Sequence, residues 1–390
     1  MNEPKIRFPE FTGEWVEKKL GEVLDYEQPQ RYLVNSENYK TQGIPVLTAG
    51  KTFILGYTDE TEGVYSNLPV IIFDDFVTES KFVTFPFKAK SSAMKMLKLS
   101  DENNDLRMIY ESMQMLKYPV KEHKRYWISE YSQLKILLPS LPEQQKIASC
   151  LSELDALIEA QGKKVGALKE KKKGMMQQLV PQPGETTPRL RFPGFTGEWV
   201  EKKLGEVFTR LTDRNIEDNK NVLTISAQFG LISQLDFFKK SVASADVTGY
   251  YLLQKGDFAY NKSSSQGKPV GAIKPLKLYD KGVVSTLYIC FKCNDSREID
   301  FWEQYFDAGI LDKEIMSIAQ EGARNHGLLN VPTGAFFELK LISPSLPEQQ
   351  KIAECLSGLD ALIADEAKQL DALKEHKKGL MQQLFPQPTK

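Results

Sequence analysis

The chain repeats itself, and the repeat limits what it can fold into more than any other feature. Residues Arg7 to Val23 return as Arg191 to Val207 with one change, Glu10 against Gly194. Pro139 to Ile158 return as Pro344 to Ile363 with two changes, Ser149 against Glu354 and Glu153 against Gly358. Ala167 to Pro183 return as Ala372 to Pro388. The first block is offset by 184 residues and the other two by 205. That difference, 21 residues, is also the difference in length between the intervening segments, 24–138 with 115 residues and 208–343 with 136. The intervening segments share little sequence. A unit of about 200 residues is too long for a solenoid repeat. Two structurally equivalent halves related by a pseudo-two-fold axis are expected, with the frames doing one job twice and the inserts two different jobs.

The frame blocks read as long helices. Ser140 suits an N-cap, Pro142 the first turn and Glu143 the positive end of the helix dipole. An apolar seam follows at alternating spacings of four and three: Ile147, Leu151, Leu154, Ile158, Val165, Leu168, Met175 and Leu179. Its copy is Ile352, Leu356, Leu359, Ile363, Leu370, Leu373, Leu380 and Leu384. This is the heptad pattern of a coiled coil. Polar residues interrupt both seams at matching places, Gln161 with Glu366 and Lys172 with Lys377. Such lapses cost stability but can fix register and partner. Pro181 and Pro183, and Pro386 and Pro388, stop each helix. About 38 residues make a rod of roughly 57 Å, and two such rods are expected to pack antiparallel.

The inserts read as mostly β. In the first, strands are expected at Ile44–Leu47, Val70–Phe73, Phe82–Phe87 and Met94–Leu99, then a helix over Asp105–Leu116. In the second they are expected at Val222–Ser226, Phe258–Tyr260, Val270–Ile273 and Val283–Phe291, then a helix over Phe301–Ala319. The fold class is α+β.

Charge is balanced overall, with 51 Lys and Arg against 52 Asp and Glu. No global basic field announces nucleic acid, so any such surface must come from local asymmetry. Residues 80–98 carry Lys81, Lys88, Lys90, Lys95 and Lys98 without an acid, together with Ser91 and Ser92. Residues 260–277 carry Lys262, Lys268, Lys274 and Lys277 without an acid, together with Ser263, Ser264, Ser265 and Gln266. An Asp-Phe pair precedes each patch, Asp75-Phe76 and Asp257-Phe258. A second loop follows each expected helix, containing Arg125 and Tyr126 in one insert and Arg324, Asn325 and His326 in the other. Lysines and hydroxyls suit phosphate oxygens, while Arg and Asn can pair with guanine and adenine edges. Each cluster alone reads more readily as a solvated loop. Recurrence in both inserts favours a shared purpose.

Catalytic chemistry is not evident. Neither G-x-x-x-x-G-K-[ST] nor G-x-G-x-x-G occurs, nor the Asn-Pro-Pro or Asp-Pro-Pro of amino-methyltransferases. The three histidines, His123, His326 and His376, are not at metal-ligand spacing. Cys290-x-x-Cys293 is a lone pair inside an expected strand and reads as structural, and no metal site is expected. No run approaches the roughly 18 apolar residues of a membrane span. Sparse cysteine and the polar N-terminal residues point to a reducing cytoplasm.

Taken together, the order of frames and inserts, the repeated Phe-Thr-Gly-Glu-Trp-Val-Glu-Lys-Lys-Leu-Gly-Glu-Val and the Leu-Pro-Glu-Gln-Gln-Lys-Ile-Ala helix starts at Leu141 and Leu346 carry a resemblance. The whole chain resembles the specificity subunit of a type I restriction–modification system. Gly256 to Ser263 also resemble family recognition domains. The resemblance implies two target recognition domains, each a mixed or antiparallel sheet with helices, separated by two long antiparallel coiled-coil helices. The boundaries expected are 1–138 for the first recognition domain with its N-terminal block, 139–183 for the first helix, 184–343 for linker and second recognition domain, and 344–390 for the second helix. Each domain would read one half of a bipartite, asymmetric sequence in double-stranded DNA, and the helices would set the unread gap. Two methyltransferase subunits would dock there, and two restriction/translocase subunits could join. S-adenosylmethionine, ATP and Mg would belong to those partners, and this chain would be non-catalytic. The near-neutral inserts depart from a free-standing DNA binder and imply that partners supply part of the phosphate contact. Two other readings stay open from the residues alone: a protein-interaction scaffold that binds no DNA, and a self-contained enzyme, against which the missing motifs count.

Overall fold

The structure is a computed structural model and describes residues 3–50, 52–120, 124–182, 184–226, 230–238, 246–263, 269–319 and 329–386. The chain divides into two compact units, Met1–Gly162 with Lys368–Lys390, and Lys163–Ala367. Each unit thus takes the N-terminal part of one long helix and the C-terminal part of the other.

In the first repeat the elements run β1 (Val16–Lys19), α1 (Leu20–Val23), β2 (Leu24–Glu27), β3 (Ile44–Leu47), β4 (Ile54–Thr58), β5 (Val70–Asp74), β6 (Ser80–Val83), β7 (Lys88–Ala89), β8 (Met94–Leu99), α2 (Leu106–Met115), β9 (Lys135–Leu138) and α3 (Leu141–Leu179). The second repeat runs β10 (Val200–Lys203), α4 (Leu204–Val207), β11 (Phe208–Leu211), β12 (Leu223–Ser226), β13 (Gly230–Ser233), α5 (Gln234–Phe238), β14 (Tyr251–Gln254), β15 (Phe258–Asn261), β16 (Ala272–Pro275), β17 (Lys281–Val284) and β18 (Ile289–Cys293). It continues with α6 (Ile299–Asp307), α7 (Asp312–Ile318), α8 (Thr333–Phe337), β19 (Lys340–Ser343) and α9 (Leu346–Leu384).

The central sheets share one topology. Strands lie in the order β2-β8-β5-β6 in one unit and β11-β18-β15-β16 in the other, antiparallel throughout. Frame pairs β1–β9 and β10–β19 flank them. A parallel contact, β3 with β7, makes the first unit's smaller sheet mixed. Side chains alternate across each strand. Phe258 and Tyr260 join the cluster that holds Trp302, Tyr305 and Phe306 of α6, whereas Ala259 joins Leu253 and Val284 on the other face. In the first unit Ile71 and Phe73 meet Leu106 and Ile109 of α2, while Val70 and Ile72 meet Leu47 and Phe87.

The frame repeats as structure. Arg7 Nε and Nη2 donate to both carboxylate oxygens of Glu143 at 2.7 Å, and Arg191 does the same to Glu348. Both glutamates are 1% exposed. Arg7 and Arg191 also bond the carbonyls of Gly13 and Gly197, which turn the chain at φ of 94° and 87°. That explains why Arg-Phe-Pro, Thr-Gly-Glu-Trp and Pro-Glu-Gln-Gln recur together. Trp15 and Trp199 are buried, edge-on to Phe385 and Phe301.

Within each unit the long helices run antiparallel. Lys164 meets Glu366 and Lys172 meets Asp360 in one, while Asp155 meets Lys377 in the other. Ile147, Leu151, Leu154, Val165, Ile352 and Leu356 are buried. Ile158, Leu168, Leu359, Ile363, Leu370 and Leu373 are half-buried, as a two-helix seam with open flanks leaves them.

Four sequence expectations need correction, the first being the strand at Val270–Ile273, which shifts to Ala272–Pro275, where it pairs with β15. Val283–Phe291 is two strands, β17 and β18, split by a turn in which Ser285 Oγ accepts from the Leu287 amide. The helix over Phe301–Ala319 is two, α6 and α7, with Gly309 at φ 71° between them. The strand at Phe82–Phe87 shifts to Ser80–Val83, because pairing with β5 fixes its place.

Candidate nucleic-acid interface

Strand register identifies which insert residues correspond. Leu24 and Phe208 are repeat equivalents and pair with Leu99 and Cys293. From there Leu97 matches Phe291, and their partners Ile71 and Phe258 match. Asp75 therefore corresponds to Lys262, and Asp257 to Val70. The two Asp-Phe pairs noticed in sequence are not equivalent: one follows its strand and the other precedes it.

Asp75 is the joint of the first unit. Its amide donates to the Ala93 carbonyl at 3.0 Å and its own carbonyl accepts from the Tyr126 amide at 2.9 Å. Its Oδ1 accepts from the Trp127 amide at 2.7 Å, and its Oδ2 lies 3.2 Å from Lys95 Nζ. The turn that carries Ser91 and Ser92 and the loop that carries Arg125 are so fastened to the end of β5. Ser91 Oγ caps that turn by accepting from the Ala93 amide. Ser92 and Arg125 are exposed, and Ser91 and Lys81 half-buried. Lys90 reaches Glu37 at 2.5 Å and lies over the Tyr39 ring.

The other candidates of this unit point inward. Lys88 is 2% exposed, paired with Glu60 at 2.7 Å and bonded to the Glu62 carbonyl. Lys95 is 1% exposed, between Asp75 and the Tyr26 ring. Tyr126 is buried edge-on to Tyr118. These three face the interior, because partners distant in sequence draw them in, and the accessible set is Lys81, Lys90, Ser91, Ser92 and Arg125.

The second unit rebuilds the joint with different chemistry. The Lys262 carbonyl accepts from the Leu329 amide at 3.0 Å, the counterpart of the Asp75–Tyr126 bond. Asn261 Oδ1 accepts from the Ser263 amide as Asp74 Oδ1 accepts from that of Phe76. Lys262 and Ser263 are half-buried. The remaining candidates, Ser264, Ser265, Gln266, Lys268, Arg324, Asn325 and His326, lie outside the described residues. Lys274 is buried and bound to Glu303 and Asp307, so it does not extend the patch.

Among the described residues no group of three or more His, Cys, Asp or Glu is placed to hold a metal. Burial pushes the Cys290 and Cys293 thiols up to about 12, which leaves both protonated at neutral pH. No helix among the described residues is long and apolar enough to cross a membrane. Sequence inspection missed Asp75 as an organiser. Its carboxylate acts through Lys95, 20 residues on, and through the backbone at Trp127.

Residues 12–169 and 196–375 match the family model of the type I restriction modification DNA specificity domain. The chain is 33% identical over 373 residues to the type I restriction enzyme EcoR124I/EcoR124II specificity subunit of Escherichia coli, covering 90% of this chain and 87% of that protein. It is 27% identical over 278 residues to the MjaVIII specificity subunit of Methanocaldococcus jannaschii, covering 65% of this chain and 62% of the relative. Among solved structures, the S subunit of the type I restriction-modification system of M. genitalium superimposes with a TM-score of 0.59 at 14% identity, covering 99% of this chain and all of that one.

Proposed function

Because the chain belongs to the type I restriction–modification DNA specificity family, we propose that its two inserts are the readers of a two-part DNA target. The relatives are named as specificity subunits, which makes this chain a recognition component and not a catalytic one. The observation that carries the finer reading is one backbone bond made twice: the residues that follow β5 and β15 each accept from the amide of a later loop, Asp75 from Tyr126 and Lys262 from Leu329, with different side chains at the two places. One geometry with two chemistries is what an asymmetric target asks for. In the first unit Arg125 and Ser92 are exposed at the joint, while in the second the half-buried Lys262 stands where Asp75 does and Ser263 where Phe76 does. The two helices would then fix the unread gap.

Two identical methyltransferase subunits would dock on the frames. Val16 and Val200 are exposed on equivalent strands, and Leu157 and Leu362 on equivalent helix positions. The inserts have diverged, so a frame that keeps the same exposed apolar side chains in both copies fits a partner that meets each copy alike. S-adenosylmethionine would be held by those partners, and ATP and Mg by the two motor subunits that can join.

The test is duplex binding by the chain in complex with its methyltransferase partner. Arg125→Ala with Ser92→Ala is expected to weaken binding about tenfold or more, as loss of one bidentate base contact does. The loss should be confined to one half-site. Equal weakening on every duplex would reduce the pair to phosphate contacts, and unchanged affinity would remove the joint from the interface.

A further inference from the structure

The polar lapses of the heptad seam touch the inserts. In the second unit Lys172 Nζ lies 2.6 Å from both carboxylate oxygens of Asp360 on α9, and Gln304 Nε2 of α6 donates to Asp360 Oδ2 at 2.9 Å. In the first unit Lys377 Nζ lies 2.8 Å from Asp155 Oδ2 on α3 and 3.2 Å from Glu111 Oε1 on α2. Arg107 bonds both of those carboxylates. Lys172 and Lys377 are repeat equivalents, and so are Asp360 and Asp155. Glu111 and Gln304 belong to inserts that share little sequence, yet both side chains are buried. A buried polar group is costly unless partnered, and Glu111 Oε1 and Gln304 Nε2 each find a partner on the frame.

A second frame residue recurs at the start of the same helices. Gln144 Oε1 accepts from the backbone amide of Asp105, the cap of α2, at 2.9 Å. Gln349 Nε2 donates at 3.2 Å to Glu298, the residue before α6. Each glutamine is itself held by the carbonyl of Pro139 or Pro344. From Asp105 to Glu111, and from Glu298 to Gln304, is six residues, about 9 Å along a helix axis. Two fixed points on a helix set its direction.

We propose that Gln144 with Lys377 and Asp155, and Gln349 with Lys172 and Asp360, are positioning clamps that set the tilt of each recognition domain on the coiled coil. A Glu or Gln six residues after the helix cap is then the feature an insert must bring to be carried by this frame. The inference rests on the DNA-reading proposal only where tilt is translated into the length of the unread gap.

The test uses the full chain in its methyltransferase complex, with Lys172→Met plus Gln349→Leu. Lys172→Met alone, whose partner Asp360 is about half exposed, serves if the pair does not fold. Amide hydrogen exchange across Ile299–Asp307 is expected to quicken about tenfold, the scale of one lost bond to a charged group, with Phe258–Asn261 unchanged. Methylation of targets with the gap lengthened by one base pair should rise about tenfold relative to the native gap, and Lys172→Arg should restore both readings toward wild type. Unchanged exchange in α6, or quickened exchange with an unaltered gap preference, overturns the clamp. Should the wild-type complex prefer no gap, the DNA-reading proposal falls, and exchange alone decides the clamp.

Discussion

Asp75→Asn is the sharpest single perturbation of the first joint. The amide keeps the shape and can still accept from the Trp127 backbone, but it strips Lys95 of its counter-ion. Asp75 and Lys95 side chains are each 2% exposed and lie 3.2 Å apart. At an effective dielectric near 20, unit charges at that distance attract by about 5 kcal/mol. Breaking a buried pair by removing one partner typically costs about 3–5 kcal/mol, because the remaining charge stays out of water. That is a large share of the roughly 5–15 kcal/mol that holds a domain folded. Urea unfolding followed through tryptophan fluorescence, as a double-mutant cycle with Lys95→Met, isolates the pair. Each single change should destabilise by about 3 kcal/mol or more. The double change should recover much of that, because no charge is then left buried alone. Two single changes below about 1 kcal/mol each that simply add would refute the assignment of Asp75 as a charged organiser.

Arg191→Ala should destabilise the second unit by about 3–5 kcal/mol, since it strands the buried Glu348, and urea titration should show Arg7→Ala doing the same to the first. Stability of the second unit should fall as pH rises between about 9 and 12. Cys290, Cys293 and Tyr305 are all pushed up to about 12 by burial, so above their ordinary values the folded state holds protons that the unfolded chain has lost. The contribution is complete below pH 9, and a flat urea midpoint across that window would contradict it. A thiol-alkylating reagent at pH 8 should leave Cys290 and Cys293 unlabelled in the folded chain and label both in urea.

The frames were readable because two copies of one sequence must solve one folding problem. Ile147 to Leu179 and Ile352 to Leu384 announce their seams by spacing alone. What the lapses touch was not readable. Lys377 finds Glu111 266 residues away, and Lys172 finds Asp360 188 residues away, through packing that no local pattern encodes. The inserts were harder for the same reason. Lys88 and Lys95 look like surface charge until Glu60 and Asp75 are brought to them by strand pairing. Similar dipeptides misled as well, because Asp75-Phe76 and Asp257-Phe258 sit at opposite ends of corresponding strands. Elements with strong local pattern, such as Ile44–Leu47 and Met94–Leu99, emerged at the expected bounds, while runs interrupted by Ser285 or Gly309 broke at those residues.

The central claim is that two differently equipped joints on one repeated frame read two different half-sites. Co-expression of the chain with its methyltransferase partner in a methylation-free host, followed by mapping of N6-methyladenine, tests it most directly. A single two-part motif with a fixed unread gap is the expected result. Methylation at one continuous short motif, or none from a complex that purifies intact, would contradict it.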